Sequence, residues 1–194
     1  MSVNPLPSKD RINQRVMIII DGDNLSDMSE RTGKIDIAKL CQLLTDDRVL
    51  TEAAFFVSIP FEEKREFNHF VFALRRNGLR VIDTPMRKQT NKDGSIKIKG
   101  YSDSKIWRFI LDRLDYFDTL VLATRDGDYA DILDYISIRH GKQTELCAIW
   151  KGMDQNLLKV VNFWWNLSDP TILEGIRLIE IDDAKLPVEE INES

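Results

Sequence analysis

The chain predicts an α/β protein: a three-layer α/β/α sandwich built on a mostly parallel, five-stranded sheet. Three observations carry that expectation. Short apolar, β-branched runs alternate with segments of helical periodicity along most of the 194 residues. The runs are apolar at successive positions, as in strands buried on both faces, and alternation of strand and helix places helices on both sides of a parallel sheet. Two runs also end abruptly in acidic turns, Asp21-Gly22-Asp23-Asn24 and Thr124-Arg125-Asp126-Gly127-Asp128-Tyr129. Open α/β sheets place their ligand crevice at the carboxyl ends of such strands.

The elements follow in order. Residues 1–15 contain Pro5 and Pro7 and read as a polar, mobile leader. Val16–Ile20 is the first strand. Ile37, Leu40, Cys41 and Leu44 recur at i, i+3, i+4 and i+7, which predicts an amphipathic helix with Cys41 on its core face. Thr51–Ile59 is the second strand. Phe67, Phe70, Val71 and Leu74 repeat the helical spacing up to the Asn77-Gly78 stop signal, with His69 a surface or packing residue. Leu79–Thr84 is the third strand. Around the turn signal Asn91-Lys92-Asp93-Gly94, Arg87–Thr90 and Ser95–Lys99 are expected to pair as a hairpin.

Ser102-Asp103 opens the next helix, with Ile106, Phe109, Ile110 and Leu114 on one face. Thr119–Ala123 is the fourth strand, Tyr129–Arg139 a helix, and Thr144–Ile149 the fifth strand. A last helix is expected over Met153–Leu167, with Leu157, Val160, Val161 and Trp164 inward; Trp165 then points elsewhere and is a candidate partner contact. The domain is therefore expected over 16–168. Residues 169–194 read as an acidic, partly disordered appendage, with an edge element over Ile172–Ile181.

Bulk composition narrows the function classes. Hydrophobic residues make up 43% and charged residues 30%, an ordinary balance for a water-soluble domain. No apolar stretch reaches membrane-spanning length, and the N-terminal residues lack the apolar core of a secretory signal. Two cysteines outside any C-x-x-C pair, with only two histidines, argue against zinc and for a cytoplasmic protein with reduced thiols. The net charge of −5 conceals a segregation. Between Arg75 and Lys99 eight basic residues face two acids, whereas from Asp169 to Ser194 eight acids face two basic residues. A local basic patch can hold a phosphate backbone despite an acidic total, although a solvated loop has the same composition. Arg87, Lys88, Lys97, Lys99, Lys105 and Arg125 are its candidate contacts.

The acids carry the chemistry. Asp21 and Asn24 end the first strand, Asp126 and Asp128 follow the fourth, and Asp103 starts the helix leading into the fourth. In a right-handed β-α-β layout all three segments reach one rim. Crowded carboxylates repel unless a cation or proton lies between them. Mg²⁺ or Mn²⁺ suits such a site, because hard cations prefer carboxylate and water oxygens. A metal so held equips the rim for in-line hydrolysis of a phosphodiester. Each acid alone has a plainer reading as a turn former or helix cap.

These residues resemble the NYN family, in the LabA-like branch of the PIN nuclease superfamily. The similarity runs through Ile20-Asp21-Gly22-Asp23-Asn24, Lys99-Gly100 with Asp103, Thr124 to Tyr129, and Arg139-His140-Gly141-Lys142, over roughly residues 16–165. It implies a PIN-like sandwich and Mg²⁺- or Mn²⁺-dependent ribonuclease activity. By that resemblance Asp21, Asp103 and Asp126 are catalytic, the same three with Asp128 ligate metal, and Asn24 and Asp23 support them. Two positions depart from the pattern: Phe109, where the family often has a second acid, and Arg125, where a small residue is usual. Asp112 does not replace the missing acid, since it falls on the opposite helix face.

The expected partner is RNA, single-stranded or in a structured loop; a homo-oligomer or protein partner stays open, and no membrane is expected. Two alternatives stand beside the nuclease. One is a catalytically weak or inactive NYN module that binds RNA or protein in a regulatory complex. The other is a haloacid-dehalogenase-type phosphatase, with Asp21 as nucleophile and Asp23 as acid.

Overall fold

The structure is a computed structural model and describes residues 13–59, 65–85, 87–90, 96–99 and 102–177. Most of the expected leader, the Asn91–Gly94 turn, Lys99-Gly100 in its second residue, and the tail from residue 178 onward lie outside these residues. Strand β1 (Arg15–Asp21) leads into helices α1 (Gly22–Thr32) and α2 (Ile37–Thr45), then β2 (Val49–Ile59), α3 (Arg65–Arg76) and β3 (Arg80–Pro85). Strands β4 (Arg87–Thr90) and β5 (Ile96–Lys99) follow, then α4 (Ser102–Leu111), β6 (Thr119–Ala123), α5 (Ala130–His140), β7 (Gln143–Ala148), α6 (Leu157–Val160), β8 (Phe163–Asn166) and α7 (Pro170–Ile176).

The main sheet has six strands in the order β3-β2-β1-β6-β7-β8, and β4 and β5 form a separate antiparallel pair. Every pairing in the main sheet is parallel. The chain steps outward from β1 through β2 to β3, then returns to β6 beside β1 and steps the other way. The topological switch point therefore lies between β1 and β6, where such sheets leave a crevice at their carboxyl ends. Side chains of β2 show the layering. Phe55 meets Phe70 of α3, while its neighbour Phe56 meets Phe109 of α4, both edge to face. Successive strand residues point to opposite faces, so α3 and α4 cover opposite sides.

Burial follows the sequence pattern. Val16–Ile20 and the whole of β6 have no exposure, as the two-sided burial of central strands requires. Cys41 is buried on α2, and His69 sits on the exposed side of α3. The one ion pair enclosed on both sides joins Arg48 to Glu145 of β7 at 2.8 Å, among the described residues. Trp165 Nε1 donates to the same carboxylate at 2.8 Å.

Four expectations need correction. The sheet has six strands rather than five, because the helix expected over Met153–Leu167 stops at Val160 and the chain extends at Val161 (φ −105°, ψ 147°). Phe163–Asn166 then pairs with β7, and two tryptophans and a phenylalanine suit a pleated edge better than their helical spacing suggests. Trp165 lies on this strand rather than on a helix, with Nε1 on Glu145 and the side chain partly exposed. Helix α1 was not expected, yet it begins inside the Asp-Gly-Asp-Asn turn and buries Leu25 and Met28. Finally, of the edge element expected over Ile172–Ile181, the described residues form α7 (Pro170–Ile176) and an antiparallel bridge between Arg177 and Ile35, while 178–181 lie outside the described residues.

Candidate active site

The carboxyl ends of β1 and β6 lie side by side, and backbone constraints there fix the acids. Asp21 is the last residue of β1 and caps α1, accepting from the Asn24 backbone N–H at 3.4 Å and from Asn24 Nδ2 at 2.7 Å. Gly22 is obligatory at this junction: a Cβ there would lie 2.4 Å from the Phe56 carbonyl oxygen, a backbone atom that cannot swing aside. Across the switch point Asp126 caps the 3₁₀ turn Gly127–Tyr129, accepting from the Asp128 N–H at 3.0 Å. Thr124 Oγ1 in turn accepts from the Asp126 N–H at 3.2 Å.

Asp103, in the first turn of α4, completes the rim. One carboxylate oxygen each from Asp103, Asp126 and Asp128 lies within 4.8 Å of the others, close enough to share one cation. Asp103 and Asp126 are partly buried and Asp128 is exposed. Asp103 and Asp128 border a cleft of about 580 Å³ lined also by Ser104, Trp107, Gly127 and Asp131.

Asp21 lies outside that triad. It is only 1% exposed, and its Oδ2 is also approached by Thr124 Oγ1 at 3.4 Å and by the Tyr129 hydroxyl at 3.3 Å. The same hydroxyl lies 3.0 Å from Asp103 Oδ1. A phenol carries one proton and cannot donate to both carboxylates at once. Asp21 has further donors in Asn24 and Thr124, and Asp103 Oδ1 has Ser102 Oγ at 3.3 Å, so the phenol is one of several donors at this rim. Burial pushes the Asp21 carboxyl up to about 6; the two Asn24 hydrogen bonds oppose the shift, and the charges of Asp23 and Asp103 add to it. Burial also raises the Tyr129 phenol, reinforced by Asp21 and Asp103, so it stays protonated.

The remaining candidates fall in three places. Asp23 is exposed on α1 and accepts from Ser58 Oγ at 2.5 Å, and Ser58 lies 3.3 Å from Thr84 Oγ1. A polar chain therefore runs along the ends of β1, β2 and β3. Arg87, Lys88, Lys97 and Lys99 lie on the β4–β5 hairpin, where Arg87 pairs with Lys99 in register. Lys105 is exposed, its Nζ donating to the Asp83 carbonyl at 2.8 Å. Arg125 differs from these: it is 9% exposed and Nη1 donates to the Lys151 carbonyl at 2.9 Å, so it braces the loop behind the site.

Phe109, at the departure from the family pattern, is 8% exposed, packs edge to face on Phe56, and lies under the Arg113 guanidinium at 3.5 Å. Its position belongs to the core. Enclosure of Asp21 also disfavours the phosphatase alternative, since a nucleophile must meet its substrate. Sequence reasoning assigned no role to Tyr129, Thr124, Ser58 or Thr84. Tyr129 and Thr124 stood inside the quoted motif. For Ser58 and Thr84 the available signal was a hydroxyl at the carboxyl end of an apolar strand.

A profile of the NYN domain matches residues 15–163. Among solved structures, a protein of unknown function from Vibrio parahaemolyticus RIMD 2210633 shares the fold with a TM-score of 0.72 and 18% identity, covering 89% of this chain and 100% of that one. The apo form of AtPrR2 gives a TM-score of 0.38 and 14% identity, over 76% of this chain and 43% of that one. A comparison with curated proteins gives no match.

Proposed function

The chain belongs to the NYN domain family, a family of PIN-like nucleases, and from that premise we propose that it hydrolyses RNA phosphodiester bonds with the help of a divalent cation. The observation that carries the reading is the convergence of Asp103, Asp126 and Asp128 on one point. The donor set fits Mg²⁺ or Mn²⁺: it consists of hard carboxylate oxygens, while both cysteines are buried elsewhere. When bound, such a cation supplies positive charge to a phosphoryl group as negative charge builds on it.

The protein's own groups do the rest. Tyr129 orients Asp103 and ties it to Asp21, and Asn24 fixes Asp21 at the strand end. Asp128, the most exposed of the three, takes the proton released as water adds to phosphorus, and the bridging oxygen leaves taking a proton from solvent. Asp23 is held by Ser58 at the rim. The basic hairpin, with Lys105, attracts the phosphate backbone that the acids alone would repel. We place the domain at residues 16–168, in the LabA-like branch, acting in the cytoplasm. No described helix is long and apolar enough to cross a membrane.

The test is cleavage of a labelled single-stranded RNA in Mg²⁺ or Mn²⁺ by the wild type and by Asp103→Asn and Asp126→Asn. Loss of a few kcal/mol of charge stabilisation predicts at least about 100-fold slower turnover in each variant. Equal cleavage by all three proteins would show a contaminant and overturn the reading. The buried Phe109 favours a second reading, an NYN module that binds RNA or a protein without turnover. Salt-sensitive RNA binding, no cleavage and no rise in melting temperature with Mn²⁺ would establish it instead.

A further inference from the structure

We infer that Trp107 is a stacking platform for an unpaired base beside the scissile phosphate, and that this residue gives the enzyme its preference for single strands. The inference rests on the nuclease reading and adds a substrate-positioning residue to it. Four observations support it. Trp107 follows Asp103 by one helical turn, so both stand on the same side of α4. It lines the same cleft as Asp103 and Asp128, and it is the only aromatic among the described lining residues. It is partly exposed, whereas Ile106, Phe109 and Ile110 of the same helix are buried. The other lining groups are three carboxylates, a serine and a glycine, which offer a nucleotide no cationic and almost no apolar contact.

A phosphate entering this cleft meets like charge on most sides. The proposed cation and the basic hairpin offset that repulsion for the phosphates, and for the uncharged base the aromatic group lining this cleft is the partly exposed Trp107. Stacking needs a base with a free face. In a duplex both faces are already covered, so a paired base reaches Trp107 only after being unstacked. Base–aromatic stacking is tolerant of base identity, so Trp107 selects strandedness rather than sequence.

The experiment compares wild type, Trp107→Ala and Trp107→Phe on a labelled single-stranded RNA and on the same RNA annealed to its complement. Trp107→Ala is expected to raise KM for the single strand about tenfold with a smaller change in kcat, and Trp107→Phe to restore most of the loss. In Ca²⁺, the same single strand should quench the wild-type tryptophan emission. That quench should vanish in Trp107→Phe, which keeps Trp150, Trp164 and Trp165. An unchanged KM in Trp107→Ala, or a quench that persists in Trp107→Phe, overturns the assignment. If Trp107→Ala fails to fold, the Trp107→Phe quench decides. Absence of any cleavage by wild type would instead sink the nuclease reading, and the quench would still report on stacking.

Discussion

Asp21 is held where its charge is costly. Its carboxyl sits at about 6 in the folded protein against an ordinary value of 3.8, so between those pH values the native state binds more protons than the unfolded chain. Stability therefore falls as pH rises through that window and is level above it. Asp21→Asn keeps a cap able to accept from Asn24 and removes the buried charge. We expect it to raise stability at pH 7 by about 1–2 kcal/mol, with the gain shrinking toward pH 4. Melting curves at several pH values check this, and a variant less stable than wild type at pH 7 would contradict it. Tyr129→Phe removes the hydroxyl that lies between Asp21 and Asp103. Loss of such a supporting contact should weaken Mn²⁺ binding by roughly 10- to 100-fold, measurable by calorimetry. The acids of the site were legible in the sequence because charged residues at the ends of apolar runs are conspicuous. Tyr129 was not, since an aromatic opening a helix looks like core until its hydroxyl is placed between two carboxylates.

Elements show where local pattern and tertiary context part. Strands β1, β6 and β7 were legible because two-sided burial demands continuous apolar runs, β2 from its buried half, and the edge strand β3 from its short run over residues 79–82. The segment after β7 was not. Leu157, Val160, Val161 and Trp164 have helical spacing, but β7 has an open edge that Phe163–Asn166 covers, and Trp165 finds an acceptor in Glu145. A sequence window cannot see that acceptor. Helix α1 was hidden for a different reason: its face is short and its sequence, Gly22–Thr32, is mostly polar. The Arg48–Glu145 pair that underlies β7 gives a prediction at this scale. Glu145→Gln leaves the Arg48 guanidinium enclosed without its counter-charge and should cost about 3–5 kcal/mol in denaturant unfolding. Arg48→Met combined with Glu145→Leu should recover part of that loss, because the apolar pair needs no counter-charge although Trp165 Nε1 loses its acceptor. At Gly127 a Cβ would stand 2.2 Å from Asp154 Oδ2 and 2.9 Å from Asp154 Cβ, so a side chain there requires Asp154 to move.

At the scale of the molecule, topology and charge act together. Reversal of the strand order between β1 and β6 opens the rim at which segments far apart in sequence deliver their acids. The basic hairpin inserted between β3 and α4 ends just before the helix that carries Asp103. Attraction by the hairpin is a field effect and should weaken with salt. For single strands the slope of log affinity against log salt is about −0.7 per phosphate neutralised. Replacing Arg87, Lys88, Lys97 and Lys99 with Ala should therefore make that slope shallower by about three. An unchanged slope would place the backbone contact elsewhere. The order of acids along the chain made the rim legible, whereas the triad itself was not. Whether Asp21 joins Asp103, Asp126 and Asp128 or stands behind them depends on side-chain packing that no spacing encodes. The most direct test of the central claim is anomalous diffraction from crystals of the protein soaked in Mn²⁺. A peak within coordination distance of Asp103, Asp126 and Asp128 is the predicted result. Saturating Mn²⁺ with no peak there, or with peaks only elsewhere, would contradict it.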